Sequence, residues 1–430
     1  MIDQITSGLL NSEYIIPLFL FMIFAASLFS FKFKIPYAMI LVGFGIALPL
    51  LHYSGLSIFN FGDLKINPKL ILYFIVPALI FEAMMRVNYE EFKSVRISSL
   101  LMATVGTVVA MIIGGFLLAY LAGLPLIMAF AFSALIASTD AAVVIEVFRR
   151  VKVPKPLAHL METEASLNDA TSAVLFSLIV SIALAGGLVM LSNNNTTQIN
   201  VNILEQIEKF VIVFFGGAAI GLAFAVAAHL MHKILDDPLS GTGLTVAIVF
   251  GSVVTANSLG VSGLVAVAIA GLYVGNISAR KEQIMSKKAK TYAFYFWEVI
   301  AFFANSLAFL YLGLSMDIIK IGHNIPLIAI AFVVVLIARA APTYSILGII
   351  NKFTNEKIPM VWRNVAVIGS MRGALSIALV GTLPESPFKD TLQTITFGVV
   401  LASLIIQYVA LSKYTKKVFP QSAITDKQDS

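Results

Sequence analysis

Apolar stretches of about 20 residues, each long enough as a helix to cross a hydrocarbon core about 30 Å thick, follow one another along almost this whole 430-residue chain. Lipid offers the backbone no hydrogen-bond partner, so a spanning segment must be a helix or part of a closed barrel. Uninterrupted apolar runs fit helices, because barrel strands alternate apolar and polar residues. The chain therefore reads as an all-α polytopic membrane protein. Its composition agrees, with 59% hydrophobic and only 12% charged residues.

Thirteen spans are expected, at 15–31, 36–52, 69–86, 96–121, 127–148, 158–185, 204–233, 242–258, 262–276, 292–314, 324–350, 360–382 and 391–412. The first follows a polar start with Asp3 and Glu13 and reads as a retained helix, not a cleaved leader. Lys and Arg accumulate in cytoplasmic loops. With the N-terminus outside, 22 of the 29 fall in inner segments and five in outer ones, leaving Arg339 and Arg372 within spans. The C-terminus is then cytoplasmic. The net charge of +6 follows from this loop bias and does not call for nucleic acid. Cysteine is absent, which excludes disulfides, thiolate metal sites and cysteine nucleophiles.

A charge at mid-bilayer costs at least ~2.5–3.5 kcal/mol, so each buried ionisable residue needs a partner or a function. They are few here: Glu82, Asp140, Glu146, Glu162, Glu164, Asp169, Glu298, Arg339 and Arg372. Asp169 lies about 16 Å into the sixth span, and Asp140 sits at similar depth in the fifth. Two carboxylates at one depth can form a hard-oxygen site for a small cation. Glu164 and Asn168 are i, i+4 neighbours, whereas Glu164 and Asp169 are about 140° apart around the helix. Glu164 is therefore expected in a structural ion pair with Arg339, and Asp169 at the transported ion. The alternative is that Asp140 and Asp169 serve only buried hydrogen bonds or Arg372. Glu82 is divided evenly between structural and functional readings; Glu146 and Glu162 are expected at the cytoplasmic mouth, and Glu298 in a structural role.

Polar and glycine-rich runs interrupt two spans, Ser138-Thr139-Asp140 in the fifth and Gly369-Ser370-Met371-Arg372-Gly373 in the twelfth. Transporters built from inverted repeats carry broken helices at matching positions of their halves. Spans seven apart run in opposite directions, as an inverted repeat requires. Arg372 can neutralise the half-helix C-termini that meet there.

Together, Ser138-Thr-Asp140-Ala-Ala-Val-Val, Glu164-Ala-Ser-Leu-Asn168-Asp169, Phe296-Trp-Glu298-Val-Ile-Ala-Phe-Phe-Ala-Asn-Ser, Arg339 and Met371-Arg372-Gly-Ala-Leu-Ser resemble the Na⁺/H⁺ exchangers of cation:proton antiporter family 1, the NhaP type. The resemblance runs through all thirteen spans. It implies antiport of Na⁺, or Li⁺ or K⁺, against H⁺, no resident cofactor, a cell-membrane location and a homodimer. Dimerisation helices are expected in 1–95 and 241–320, core ion-translocation helices in 96–186 and 321–417, a linker helix in 187–240 and a polar tail in 418–430. Asp169 would bind cation or proton in turn, with Asp140, Thr139, Asn168, Ser166 and Glu82 around it, Glu164 paired with Arg339, and Arg372 compensating the breaks. Asn168-Asp169 in place of two acids implies electroneutral exchange. Two departures stand out. Ala165 replaces a Ser common in relatives, with Ser166 one place later, and Gly369-Ser370-Met371 replaces the Glu-Gly-Pro of archaeal relatives.

Other readings are weaker. Gly260-Val-Ser262-Gly263 matches a Gly-x-Ser-Gly protease loop, but a serine nucleophile needs a base on another span. All five histidines lie at or near span ends. A channel reading finds no repeated carbonyl-filter sequence. Asn194-Asn195-Thr196 is a formal glycosylation sequon, meaningful only in a eukaryotic secretory pathway.

Overall fold

The computed structural model describes residues 15–33, 35–53, 71–87, 94–185, 203–234, 237–279, 284–383, 386 and 388–420. The sequon and the extreme termini lie outside them. Every regular element among these residues is helical. In chain order they are α1 (Ile15–Phe33), α2 (Tyr37–Tyr53), α3 (71–86), α4 (Arg96–Ala122), α5 (Leu126–Ile136), α6 (Ala141–Val151), α7 (Lys155–Ala185) and α8 (Ile203–His232). The second half continues with α9 (Pro238–Ser258), α10 (Gly263–Ser278), α11 (Lys287–Leu314), α12 (Ile318–His323), α13 (Ile325–Phe353), α14 (Met360–Ile368), α15 (Ala374–Gly381) and α16 (Lys389–Val418). Among the described residues six stretches, in α4, α8, α9, α11, α13 and α16, are long and apolar enough to cross a membrane.

Hydropathy finds the apolar middles of these helices, and capping chemistry decides where they begin. α9 starts at Pro238 because the Asp237 carboxylate accepts from the Ser240 amide, four residues before the expected span. α11 likewise begins at Lys287, with Ser286 accepting from Ala289 N–H, five residues early. The short α12 was not expected; Asp317 caps it through the Ile319 and Lys320 amides. The Gly-x-Ser-Gly run is a helix start too. Gly260 turns at φ +73°, and Ser262 caps α10 by accepting from Val265 N–H.

The most extensive helix contacts group into two neighbourhoods, joined by α7 against α3, α8 and α10 and by α11 against α15. α4 and α5 pack together, α4 lies on α13, α5 on α7, and α16 on α13, α14 and α15. On the other side α2 and α3 lie against α11, and α8, α9 and α3 against α10. Lipid supplies no hydrophobic drive for helix association, so close approach of small residues matters more. At the α2–α11 crossing a Cβ on Gly45 would stand 2.5 Å from Leu310 O, and one on Gly313 2.3 Å from Val42 O. Only glycine fits at either place.

The two interruptions lie where expected. Helix stops at Ile136 and resumes at Ala141, then stops at Ile368 and resumes at Ala374. The α15 half-helix packs on both α5 and α16. α16 contains a π-helical turn at Ser403–Gln407, a wide turn that turns polar side chains toward the second interruption.

Candidate functional site

A helix that ends inside a protein leaves its last carbonyls without partners, and each break has to satisfy them. At the end of α5, the Ser172 hydroxyl donates to Ala134 O, and Ser376 Oγ to Leu135 O at 2.9 Å. Arg372 Nη1 donates to Ala137 O and Ser138 O, both at 3.0 Å. The guanidinium is 2% exposed and its positive charge sits on the negative end of the half-helix. At the end of α14, Gln407 Nε2 donates to Ile368 O at 3.1 Å, and Ser370 Oγ to Val367 O at 2.7 Å. The breaks also bind each other: Asp140 N–H donates to Met371 O at 2.8 Å. Arg372 N–H donates to Ser403 Oγ at 3.1 Å.

α7 presents two faces to this crossing. On one, Glu164 receives both Arg339 Nη atoms, Nη1 on Oε1 at 2.7 Å and Nη2 on Oε2 at 2.6 Å. The side chains are 3% and 5% exposed, so this is a buried, bidentate ion pair. Asn168, one turn on, braces the crossing. Its Nδ2 donates to Glu164 Oε1 at 2.9 Å and Thr139 Oγ1 at 2.7 Å, and its Oδ1 accepts from Thr139 N–H at 3.2 Å.

On the other face Asp169 looks into a cavity of about 1520 Å³ that is also lined by Thr139, Asp140, Ser166 and Glu82. Among the described residues, no hydrogen bond or ion pair is made to the Asp169 carboxylate. Asp140 immediately precedes Ala141, the first residue of α6, where the helix dipole favours an anion. Gly373 lies directly behind it: a Cβ there would come within 2.4 Å of the Asp140 side chain. Arg149, Arg150, Lys413 and Lys416 line the same cavity farther from the crossing.

The sequence-derived residues thus divide. Asp140, Asp169, Thr139, Ser166 and Glu82 meet at the cavity, while Asn168 and Glu164 stand behind it. Ser166 gives its proton to Glu162 O at 2.9 Å, which leaves its oxygen lone pairs available. Glu82 is held by Arg86 one turn on, and Arg86 also reaches Glu298 at 3.0 Å. Glu146 pairs with Arg150 at 2.6 Å. Sequence reasoning missed Gln407, Ser403 and Ser172, and gave Ser376, the end of the Met371–Ser376 motif, no role of its own; all four close the breaks. A neutral polar side chain costs little in a helix, so nothing in the hydropathy pattern marks these four.

The sequence model described as "Sodium/hydrogen exchanger, transmembrane" matches residues 18–417. Among similar curated proteins, the Na⁺/H⁺ antiporter NhaS2 of Synechocystis sp. is 33% identical over 386 residues, covering 90% of this chain and 66% of that protein. The Na⁺/H⁺ antiporter ApNhaP of Aphanothece halophytica is 31% identical over 391 residues, covering 90% and 71%. The chain thus spans about two thirds of the length of these relatives. The fold is similar to that of the sodium proton antiporter MjNhaP1 from Methanocaldococcus jannaschii at pH 8, with TM-score 0.71 and 20% identity over 94% of this chain and 99% of that one.

Proposed function

The chain belongs to the sodium/hydrogen exchanger family, and on that premise we propose that it exchanges Na⁺ for H⁺ across a membrane, with Asp169 binding either ion in turn. The observation that carries this reading is the contrast on α7. Glu164 is neutralised within the protein by Arg339, whereas Asp169 faces the cavity with no ionic partner among the described residues. A bare carboxylate away from bulk water is costly, so the site favours an occupant that cancels its charge.

A count of the charges at the crossing supports a one-for-one reading. Arg339 is paired with Glu164, and Arg372 lies on the carbonyls at the end of α5. Glu164, Asp140 and Asp169 bring three negative charges to the crossing and Arg339 and Arg372 two positive ones, which leaves one negative. One Na⁺ or one H⁺ neutralises it, and Asn168 adds none. Exchange is then one for one and electroneutral. Asp140, Thr139 and Ser166 supply further oxygens for the cation, as suits a hard ion. Asn168 holds Thr139 in place and does not touch the ion.

Alternating access follows if the crossing moves only when neutral. The packing supports a moving core of α4–α7 and α13–α16 against a scaffold of α1–α3 and α9–α11, linked through α8, and the two interrupted helices suit thirteen spans in two inverted repeats. The scaffold would serve a homodimer in the cell membrane. With the N-terminus outside, the basic residues lining the cavity lie on the cytoplasmic side, so this conformation faces inward. The test is purified protein in liposomes with a trapped pH dye, challenged with Na⁺, Li⁺ and K⁺ in turn. Cation-driven proton movement is expected with at least one; none with any of the three would refute exchange.

A further inference from the structure

Glu82 lines the cavity with Asp140 and Asp169, yet its carboxylate is already engaged. Arg86 follows it by one helical turn on α3, and its Nε donates to Glu82 Oε1. The other end of the guanidinium reaches across to α11, with Nη2 3.0 Å from Glu298 Oε2. One cation therefore spans two carboxylates, one on α3 and one on α11, and Glu298 lines the cavity too. A planar guanidinium can hold two acids at once, because its donors leave it in different directions.

The exposures show which half of the bridge is the anchor. Glu298 is 52% exposed at its side chain and Arg86 34%, against 17% for Glu82. The Arg86–Glu298 contact is solvated and worth little by itself. Its effect is to aim Arg86, while the more enclosed contact occupies one oxygen of Glu82, a carboxylate that lines the cavity.

We propose that Arg86 is an internal competitor for the transported cation: by occupying Glu82 it keeps that carboxylate out of the cation's ligand set and lowers the affinity of the inward-facing cavity for Na⁺. This rests on the exchange reading above and gives Arg86 a positioning role, acting through Glu82. Two effects have the same sign. Releasing Glu82 adds an oxygen ligand near the site, and removing the guanidinium takes a positive charge out of the cation's path.

The test is a mutant series on the purified full-length chain, read in two ways: the Na⁺ dependence of dye-reported exchange, and the Na⁺ dependence of the melting temperature, which reports binding even if transport fails. Arg86→Gln should lower the Na⁺ concentration for half-maximal effect about three- to tenfold in both assays, the size expected from removing one charge at partly solvated range. Maximal rate should change less than KM, a split that general damage would not give. The double variant Glu82→Gln/Arg86→Gln should lose most of that gain. Arg86→Lys keeps the charge but cannot span both acids, so it should fall between parent and Arg86→Gln; it carries the test if Arg86→Gln does not fold. An unchanged or raised half-maximal concentration in Arg86→Gln or Arg86→Lys overturns the proposal. So does a gain that persists undiminished in the double variant, which would make the effect one of field alone. Failure of the parent to move protons would count against exchange; the melting series would still decide the role of Arg86.

Discussion

Glu164 and Asp169 are acids five residues apart on one helix, and their surroundings are opposite. Glu164 is enclosed, bound at both oxygens by Arg339 and braced by Asn168. Asp169 faces open space beside Asp140. A buried acid whose partner is fixed in the protein stabilises the fold, and one whose partner must arrive from solution can do work. Helical phase alone separates them, because five residues turn the helix about 140° beyond a full circle.

The sharpest way to break this contrast on the stability side is Glu164→Gln. It strands the Arg339 guanidinium without its counter-charge, at a cost of about 3–5 kcal/mol. A melting curve of the purified protein should show a large drop, whereas Asp169→Asn, which removes no ion pair among the described residues, should stay near the parent. Equal drops in the two variants would contradict the division.

Gly373→Ala tests the cavity face. The new methyl would press on the Asp140 side chain, an overpacking that costs about 1–3 kcal/mol. Because Asp140 is the group displaced, apparent KM for Na⁺ should rise together with the loss of stability. Asn168→Ala tests the brace: it leaves Thr139 N–H without its acceptor, for about 1–3 kcal/mol by melting, with any change in KM following from the looser Thr139.

Changing pH requires no mutation. If Na⁺ and H⁺ compete for Asp169, acidifying the cytoplasmic-side buffer should raise apparent KM for Na⁺ and leave the maximal rate at saturating Na⁺ little changed. A fall in maximal rate at constant KM would point away from a shared site. The smallest effect is expected at the Lys320–Asp390 pair, 2.9 Å apart but exposed, where Asp390→Asn should shift melting by no measurable amount.

The charged part of the site was legible in the sequence because ionisable residues are rare in apolar runs, so Asp140, Glu164, Asp169, Arg339 and Arg372 stand out individually. The depth and phase of Glu164 were enough to name its partner 175 residues away, a contact the fold makes. The breaks were legible for the same reason, as polar runs where a span should be apolar. The three hydrogen bonds that Asn168 makes to Glu164 and Thr139 were not legible, because helical spacing carries no information on which polar atoms are spent. Gln407 and Ser403 were invisible because a neutral side chain inside a helix has no hydropathic cost to explain. The Arg86 bridge to Glu298 was hidden because it joins α3 to α11, and only the packing of those helices brings them within reach.

The central claim is that Asp169 itself carries the exchange. Dye-reported, Na⁺-driven proton movement by purified Asp169→Asn in liposomes, measured beside the parent at matched protein content and melting temperature, tests it most directly. The account predicts no movement above that of protein-free liposomes; a rate near the parent's would contradict it.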